Sequence, residues 1–151
     1  MLDHLLLAVA DVPAAVAFYG HALAPLGIGH VHDDDGAGGP PGHPDLKGFG
    51  SNGRVYFWLR GGSAGARAVH IGFVAGSSAA VDAFYAAAMA AGAADGTAGA
   101  SGISGTSGAP GTSGAPGARL HYDPRYDAAN IVDLDGYSIE AVYQSWQHAQ
   151  P

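Results

Sequence analysis

The sequence predicts an α+β fold made of two copies of a βαβββ unit in one chain. Three observations carry this reading. Strand and helix signals run strand, helix, strand, strand, strand, and then repeat in the same order. Two hairpin dipeptides, Asn52-Gly53 and Asp135-Gly136, sit between the last two strands of each half. A constant offset of 66 residues relates His4 to His70, Phe18 to Phe84 and Tyr19 to Tyr85. Each half therefore places a histidine on its first strand and a Phe-Tyr pair on the next helix. The first module spans about residues 1–62 and the second about 66–144. The 151 residues suit one domain, since domains cluster at roughly 100–150 residues.

The elements follow in order. Leu2–Ala10 reads as a strand with apolar residues on both faces. Asp11 supplies an N-cap acceptor and Pro13 a first-turn proline for a helix over Val12–Ala24, which Pro25 and Gly27 stop. Ile28–His32 is a short strand, and residues 33–44 are an acidic, Gly/Pro-rich loop. Leu46–Ser51 and Arg54–Arg60 form the first hairpin, and Arg67–Ala75 opens the second module. Ser77 and Ser78 can cap a helix running to Ala91, with Gly92 as its stop. Residues 95–117 are low-complexity, and Gly-Thr-Ser-Gly-Ala-Pro occurs there twice in tandem. Such composition buries too little apolar surface to offset its ordering entropy, so it reads as a flexible, chemically inert insertion. Ala128–Asp133 and Tyr137–Tyr143 form the last hairpin.

Composition excludes several functions. There is no cysteine, hence no disulfide framework, thiolate metal site or cysteine nucleophile. The formal net charge of −7 argues against nucleic acid and against an anionic membrane surface. The longest apolar run, Ala83–Ala91, falls far short of the ~20 residues that span a bilayer. No basic signal segment opens the chain, so a cytoplasmic location is the expectation.

His4 and His70 occupy equivalent positions, and pseudo-twofold symmetry would set them on opposite sides of one shared concave sheet. Glu140 lies mid-strand between Ile139 and Ala141. An unpaired carboxylate there is costly, and a cation removes the cost. Two imidazoles and a carboxylate suit a divalent transition metal with positions left open. Singly, each residue has a bland explanation as core or surface. The symmetry favours the three together.

These residues carry a family resemblance. Leu2–Leu7, Asp11-Val12 with Phe18-Tyr19, Ala68–Phe73 and Val132–Glu140 resemble the vicinal oxygen chelate superfamily of glyoxalase I, bleomycin-resistance proteins and extradiol dioxygenases. The Asp-Leu-Asp-Gly turn before Glu140 is the most specific part, although Leu134 stands where that family usually has proline. The resemblance covers nearly all the chain outside residues 95–117. It implies a cup-shaped mixed sheet of paired βαβββ modules around one divalent ion (Fe, Zn, Ni, Mn or Co), with His4, His70 and Glu140 as ligands. The family's lyases and isomerases draw a fourth ligand from the last strand of the first module. Arg54–Arg60 contains no histidine, carboxylate or glutamine. The remaining set is nearer the facial triad of the dioxygenases, but those usually have a longer chain.

The expected function is therefore a metal-dependent small-molecule enzyme of lyase, isomerase or dioxygenase type. The alternative is a non-catalytic, antibiotic-sequestering module, for which a net charge of −7 would suit a cationic ligand. A homodimer accords with the family, but the sequence specifies no interface. His121 and Tyr126 are candidate catalytic groups, as acid or base and as oxyanion donor. Tyr56, Trp58, Arg119 and Tyr122 are candidate substrate-binding residues. Gly48-Phe49-Gly50-Ser51-Asn52-Gly53 matches a dinucleotide-binding spacing. A strand follows it instead of a helix, so its glycines are assigned to a hairpin. His21, His30, His32, His43 and His148 are assigned no role.

Overall fold

The structure is a computed structural model. It describes residues 2–37, 39–40, 42–65, 69–96, 114–120 and 122–146. The first module comprises β1 (Leu5–Val9), α1 (Val12–Ala22), a 3-10 turn (Ala24–Leu26), β2 (Gly29–Asp34), β3 (Leu46–Ser51) and β4 (Arg54–Gly61). The second comprises β5 (His70–Val74), α2 (Ser78–Ala90), β6 (Ala94–Asp95), β7 (Gly117–Ala118), β8 (Tyr126–Val132) and β9 (Ser138–Gln144). The α+β class is thus present, and the strand-helix-strands order repeats, with two two-residue strands, β6 and β7, where the first module has the single strand β2.

Local chemistry explains the boundaries. The Asp11 carboxylate accepts from Ala14 N at 3.0 Å, and Ser77 Oγ accepts from Ala80 N at 3.2 Å, so each helix starts at a capped turn. Asn52 and Gly53, at φ 52° and 76°, take the left-handed pair of conformations that a two-residue hairpin turn needs. Gly27, at φ 73°, ends the 3-10 turn. Three elements differ from the sequence reading. β1 begins only at Leu5, so His4 precedes the strand. β2 runs on through Asp33 and Asp34, because they pair with Lys47 and Leu46 and Lys47 Nζ lies 3.2 Å from Asp33 Oδ1. The described ends of the low-complexity segment, Asp95 and Gly117, lie in short strands that pair with β8.

Each module forms its own mixed sheet. The first has the order β1-β4-β3-β2 and the second β5-β9-β8-β6, with β7 also on β8. In both, the first strand lies parallel to the last, Leu5 beside Phe57 and Ile71 beside Ile139. These pairs align the two modules residue by residue. Trp58, paired with Leu6, is then the counterpart of Glu140, paired with Gly72. One face of each sheet is closed by its helix: Leu7, Val9, Phe57 and Leu59 are buried with Phe18 and Tyr19 of α1, and Phe73, Ile139 and Ala141 with Val81 and Phe84 of α2. The helices pack on each other, and both modules share one apolar core.

A polar clasp joins the modules. Tyr19 Oη donates to Asp133 Oδ2 in the core. Asp133 Oδ1 also accepts from Tyr137 N at 2.8 Å and Asp135 N at 3.0 Å. Ala10 N donates to Asp135 Oδ1 at 3.0 Å, and Tyr137 Oη donates to Ala8 O at 2.7 Å. The final hairpin turn therefore grips the corner between β1 and α1. Burial pushes the Asp133 carboxyl up, and the Tyr19 hydrogen bond opposes that shift. Burial, and then the Asp133 charge, push the Tyr19 phenol well up.

Candidate functional site

The open face of the second sheet carries the site. Residues alternate across a strand, so His70, Gly72 and Val74 of β5 share this face with Ser138, Glu140, Val142 and Gln144 of β9. Antiparallel register adds Tyr126 and Asn130 of β8, opposite Gln144 and Glu140. A cavity of about 280 Å³ opens here, lined by His70, Gly72, Tyr126, Glu140, Val142 and Gln144 among others.

His70 and Glu140 meet in it. His70 Nε2 lies 3.2 Å from Glu140 Oε2, and His70 Nδ1 lies 2.9 Å from Ser138 Oγ. Ser138 Oγ in turn donates to Asn130 Oδ1 at 3.3 Å. The Glu140 side chain is only 8% exposed and that of His70 23%, so the pair is largely withdrawn from water. Tyr126 lines the same cavity. Burial first, and then the Glu140 and Tyr122 charges, push its phenol up to about 12, against a smaller opposing pull from Arg119. At neutral pH that hydroxyl is a proton donor.

The other predicted residues lie elsewhere. His4 is exposed, its Nδ1 held 2.9 Å from Asp3 Oδ2, and it does not line the cavity. That hydrogen bond, helped by Arg54, holds the Asp3 carboxyl below its usual value. His4 is thus outside the cavity in which His70 and Glu140 meet. Among the described residues, no three His, Asp or Glu side chains form a group able to hold a metal. Tyr56 lines a second cavity of about 450 Å³, which shares Gly72, Phe73 and Val74 with the first, and its hydroxyl is 3.2 Å from Ser51 Oγ. Trp58 lies on the first sheet with its ring edge against His32. Arg119 Nη2 donates to Ala115 O at 3.0 Å, while Tyr122 is exposed and its ring lies 5.2 Å from that of Tyr126, tilted by 54°. His121 lies outside the described residues.

Sequence reading assigned no role to Ser138, Asn130 or Gln144. The signal for them was present. Ser138 and Gln144 are two before and four after Glu140, hence on its face. The turn centred on Asp135 sets Asn130 opposite Glu140.

Two βαβββ modules with a His–Glu pair on an open sheet face define a class of small-molecule proteins. Comparison with known proteins makes this specific. The chain belongs to the Glyoxalase/Bleomycin resistance protein/Dioxygenase superfamily, whose model matches residues 1–140. Among solved structures it is similar to a glyoxalase/bleomycin resistance protein from Albidiferax ferrireducens T118, with 26% identity and a TM-score of 0.64 over 95% of this chain and 98% of that one. It is also similar to the genomically encoded fosfomycin resistance protein FosX from Listeria monocytogenes, with 16% identity and a TM-score of 0.61 over 99% of this chain and 98% of that one. A glyoxalase/bleomycin resistance/dioxygenase domain from Frankia sp. EAN1pec matches at 16% identity and a TM-score of 0.62, covering 95% of this chain and 97% of that chain. No curated protein matches the chain.

Proposed function

We propose that the protein is a divalent-metal enzyme acting on a small molecule, with His70 and Glu140 as two ligands and His4 of a second copy as the third. The observation that carries this reading is the buried His70–Glu140 pair. Its 3.2 Å separation is that of neighbouring ligands on one ion, since each bond would be about 2.0–2.2 Å. A similar FosX structure, complexed with Mn(II) and a dihydroxypropylphosphonic acid, supports a metal and an oxygen-rich substrate. The exposure of His4 and its separation from the pair support completion between two copies. A bound ion would supply Lewis-acid polarisation of a substrate oxygen. The chain's own contribution is the protonated Tyr126 hydroxyl, which can donate to a substrate oxygen and hold it beside Glu140.

The test is metal uptake by two variants, alone and mixed. His4→Ala and Glu140→Ala should each take up little Mn(II) when pure. Mixing them after reversible unfolding should restore about a quarter of the sites, because half the dimers are mixed and each rebuilds one of two sites. Wild-type uptake by either pure variant overturns the ligand set. No restoration on mixing overturns the sharing. A wild-type protein that takes up no divalent metal returns the reading to a ligand-sequestering module.

A further inference from the structure

The His70 ring has two nitrogens, and a neutral imidazole carries a proton on one of them. Which one decides whether the nitrogen facing Glu140 offers a lone pair or an N–H. On local geometry alone both arrangements close. Nε2–H could donate to Glu140 Oε2 at 3.2 Å, or Nδ1–H could donate to Ser138 Oγ at 2.9 Å.

The choice is made one residue further out. Asn130 is 3% exposed, and its Oδ1 can only accept. Ser138 Oγ reaches it at 3.3 Å. A serine hydroxyl has a single proton to donate. If that proton goes to Asn130, the Ser138 oxygen must accept from the ring, so Nδ1 carries the hydrogen and Nε2 carries the lone pair.

We infer that Ser138 and Asn130 form a directional relay, Nδ1–H to Ser138 Oγ–H to Asn130 Oδ1, that fixes His70 as the tautomer whose Nε2 lone pair points into the cavity beside Glu140. Ser138 is thereby a positioning residue for His70. Histidines that bind metals characteristically donate their second ring hydrogen to such a partner, which sets ring orientation as well as tautomer. The inference rests on the proposed metal function for its purpose, but the position of the proton can be read without any metal. Module symmetry sharpens the point. The counterpart of Ser138 in the first module is Tyr56, whose hydroxyl meets Ser51 instead of a histidine. The relay belongs only to the half that carries the pair.

The experiment uses the full-length, metal-free protein. Histidine ring nitrogens are observed by long-range proton–nitrogen NMR at pH 8, and His70 is assigned from the His70→Gln spectrum. Wild type should show His70 with its proton at Nδ1. Ser138→Ala should move the proton to Nε2, where Glu140 is the remaining acceptor. Ser138→Thr, which keeps the hydroxyl, should retain the wild-type tautomer. A wild-type ring with its proton at Nε2 alone overturns the relay. So does a Ser138→Ala ring that stays protonated at Nδ1.

The second measurement is Mn(II) affinity alone. Ser138→Ala should bind roughly 10–100-fold more weakly with an unchanged melting temperature, and Ser138→Thr should stay near wild type. Equal affinity in wild type and Ser138→Ala overturns the positioning role. A wild type with the expected tautomer but no Mn(II) binding sinks the metal function and leaves the proton relay standing.

Discussion

Replacing Tyr19 with phenylalanine tests the clasp between the modules. Tyr19 is 1% exposed and Asp133 6% exposed, so water cannot replace the lost hydroxyl. The variant keeps the ring and its edge contacts with Phe18 and Phe57, and loses only the oxygen. Asp133 Oδ1 retains its two amide donors, but Oδ2 loses the Tyr19 donor. A hydrogen bond to a charged group contributes about 1.5–3 kcal/mol. At about 2–4 °C per kcal/mol for a chain of this size, the melting temperature should fall by roughly 3–12 °C at pH 7. The pH dependence has a definite sign. Burial already raises the Asp133 carboxyl, and the Tyr19 bond lowers it. Without Tyr19 the carboxyl rises further. A group whose folded-state pKa is raised contributes stability at low pH that is lost as pH rises through that pKa. The deficit of the variant should therefore be largest at neutrality and shrink as the pH falls towards the carboxylate range. Scanning calorimetry at pH 7 and pH 4.5 reads both. A fall of less than about 1 °C at pH 7, or a deficit that grows on acidification, would refute the reasoning.

Other outcomes follow from single positions. A Cβ on Gly50 would lie 1.9 Å from Arg54 O, a backbone atom with nowhere to go, so Gly50→Ala should break the β3–β4 bulge and lower the denaturation midpoint well beyond a surface change. Gly20 in α1 has nothing within 4 Å of that position. Gly20→Ala should therefore raise stability by about 0.5–1 kcal/mol in urea unfolding, and a loss would mean the helix face is tighter than described. Tyr126→Phe should remove one late step, near pH 12, from the alkaline phenolate absorbance titration, and an unchanged titration would place the raised phenol elsewhere. The same variant should take up Mn(II) like wild type, since Tyr126 is proposed to touch substrate and not metal.

The parts of this architecture legible in sequence are those decided locally. Asp11 and Ser77 mark helix starts because a capping side chain needs only its own next turn. Asn52-Gly53 and Gly136 mark hairpins because positive φ comes readily to those residues. β6 and β7 were not legible, since two residues carry no periodicity and their pairing with β8 is decided across the fold. The His70–Glu140 pair could be inferred because parallel register sets Gly72 beside Glu140, and His70 is two residues away on the same face. The position of His4 could not. Symmetry places equivalent residues on equivalent strands, but which sheet faces meet is a matter of how modules dock. Residue spacing carries no trace of that choice.

The alignment of Trp58 with Glu140 has a consequence for how such a protein changes over time. Both modules keep the same strand pairing while the side chains on matching pegs differ: an indole in one, a carboxylate in the other. The backbone framework is thus independent of the chemistry each module displays. Activity can be gained, moved or dropped in one half by exchanging a few outward-facing residues, while the shared core registers nothing. A duplicated scaffold of this kind lets one copy carry the selected trait while its twin drifts.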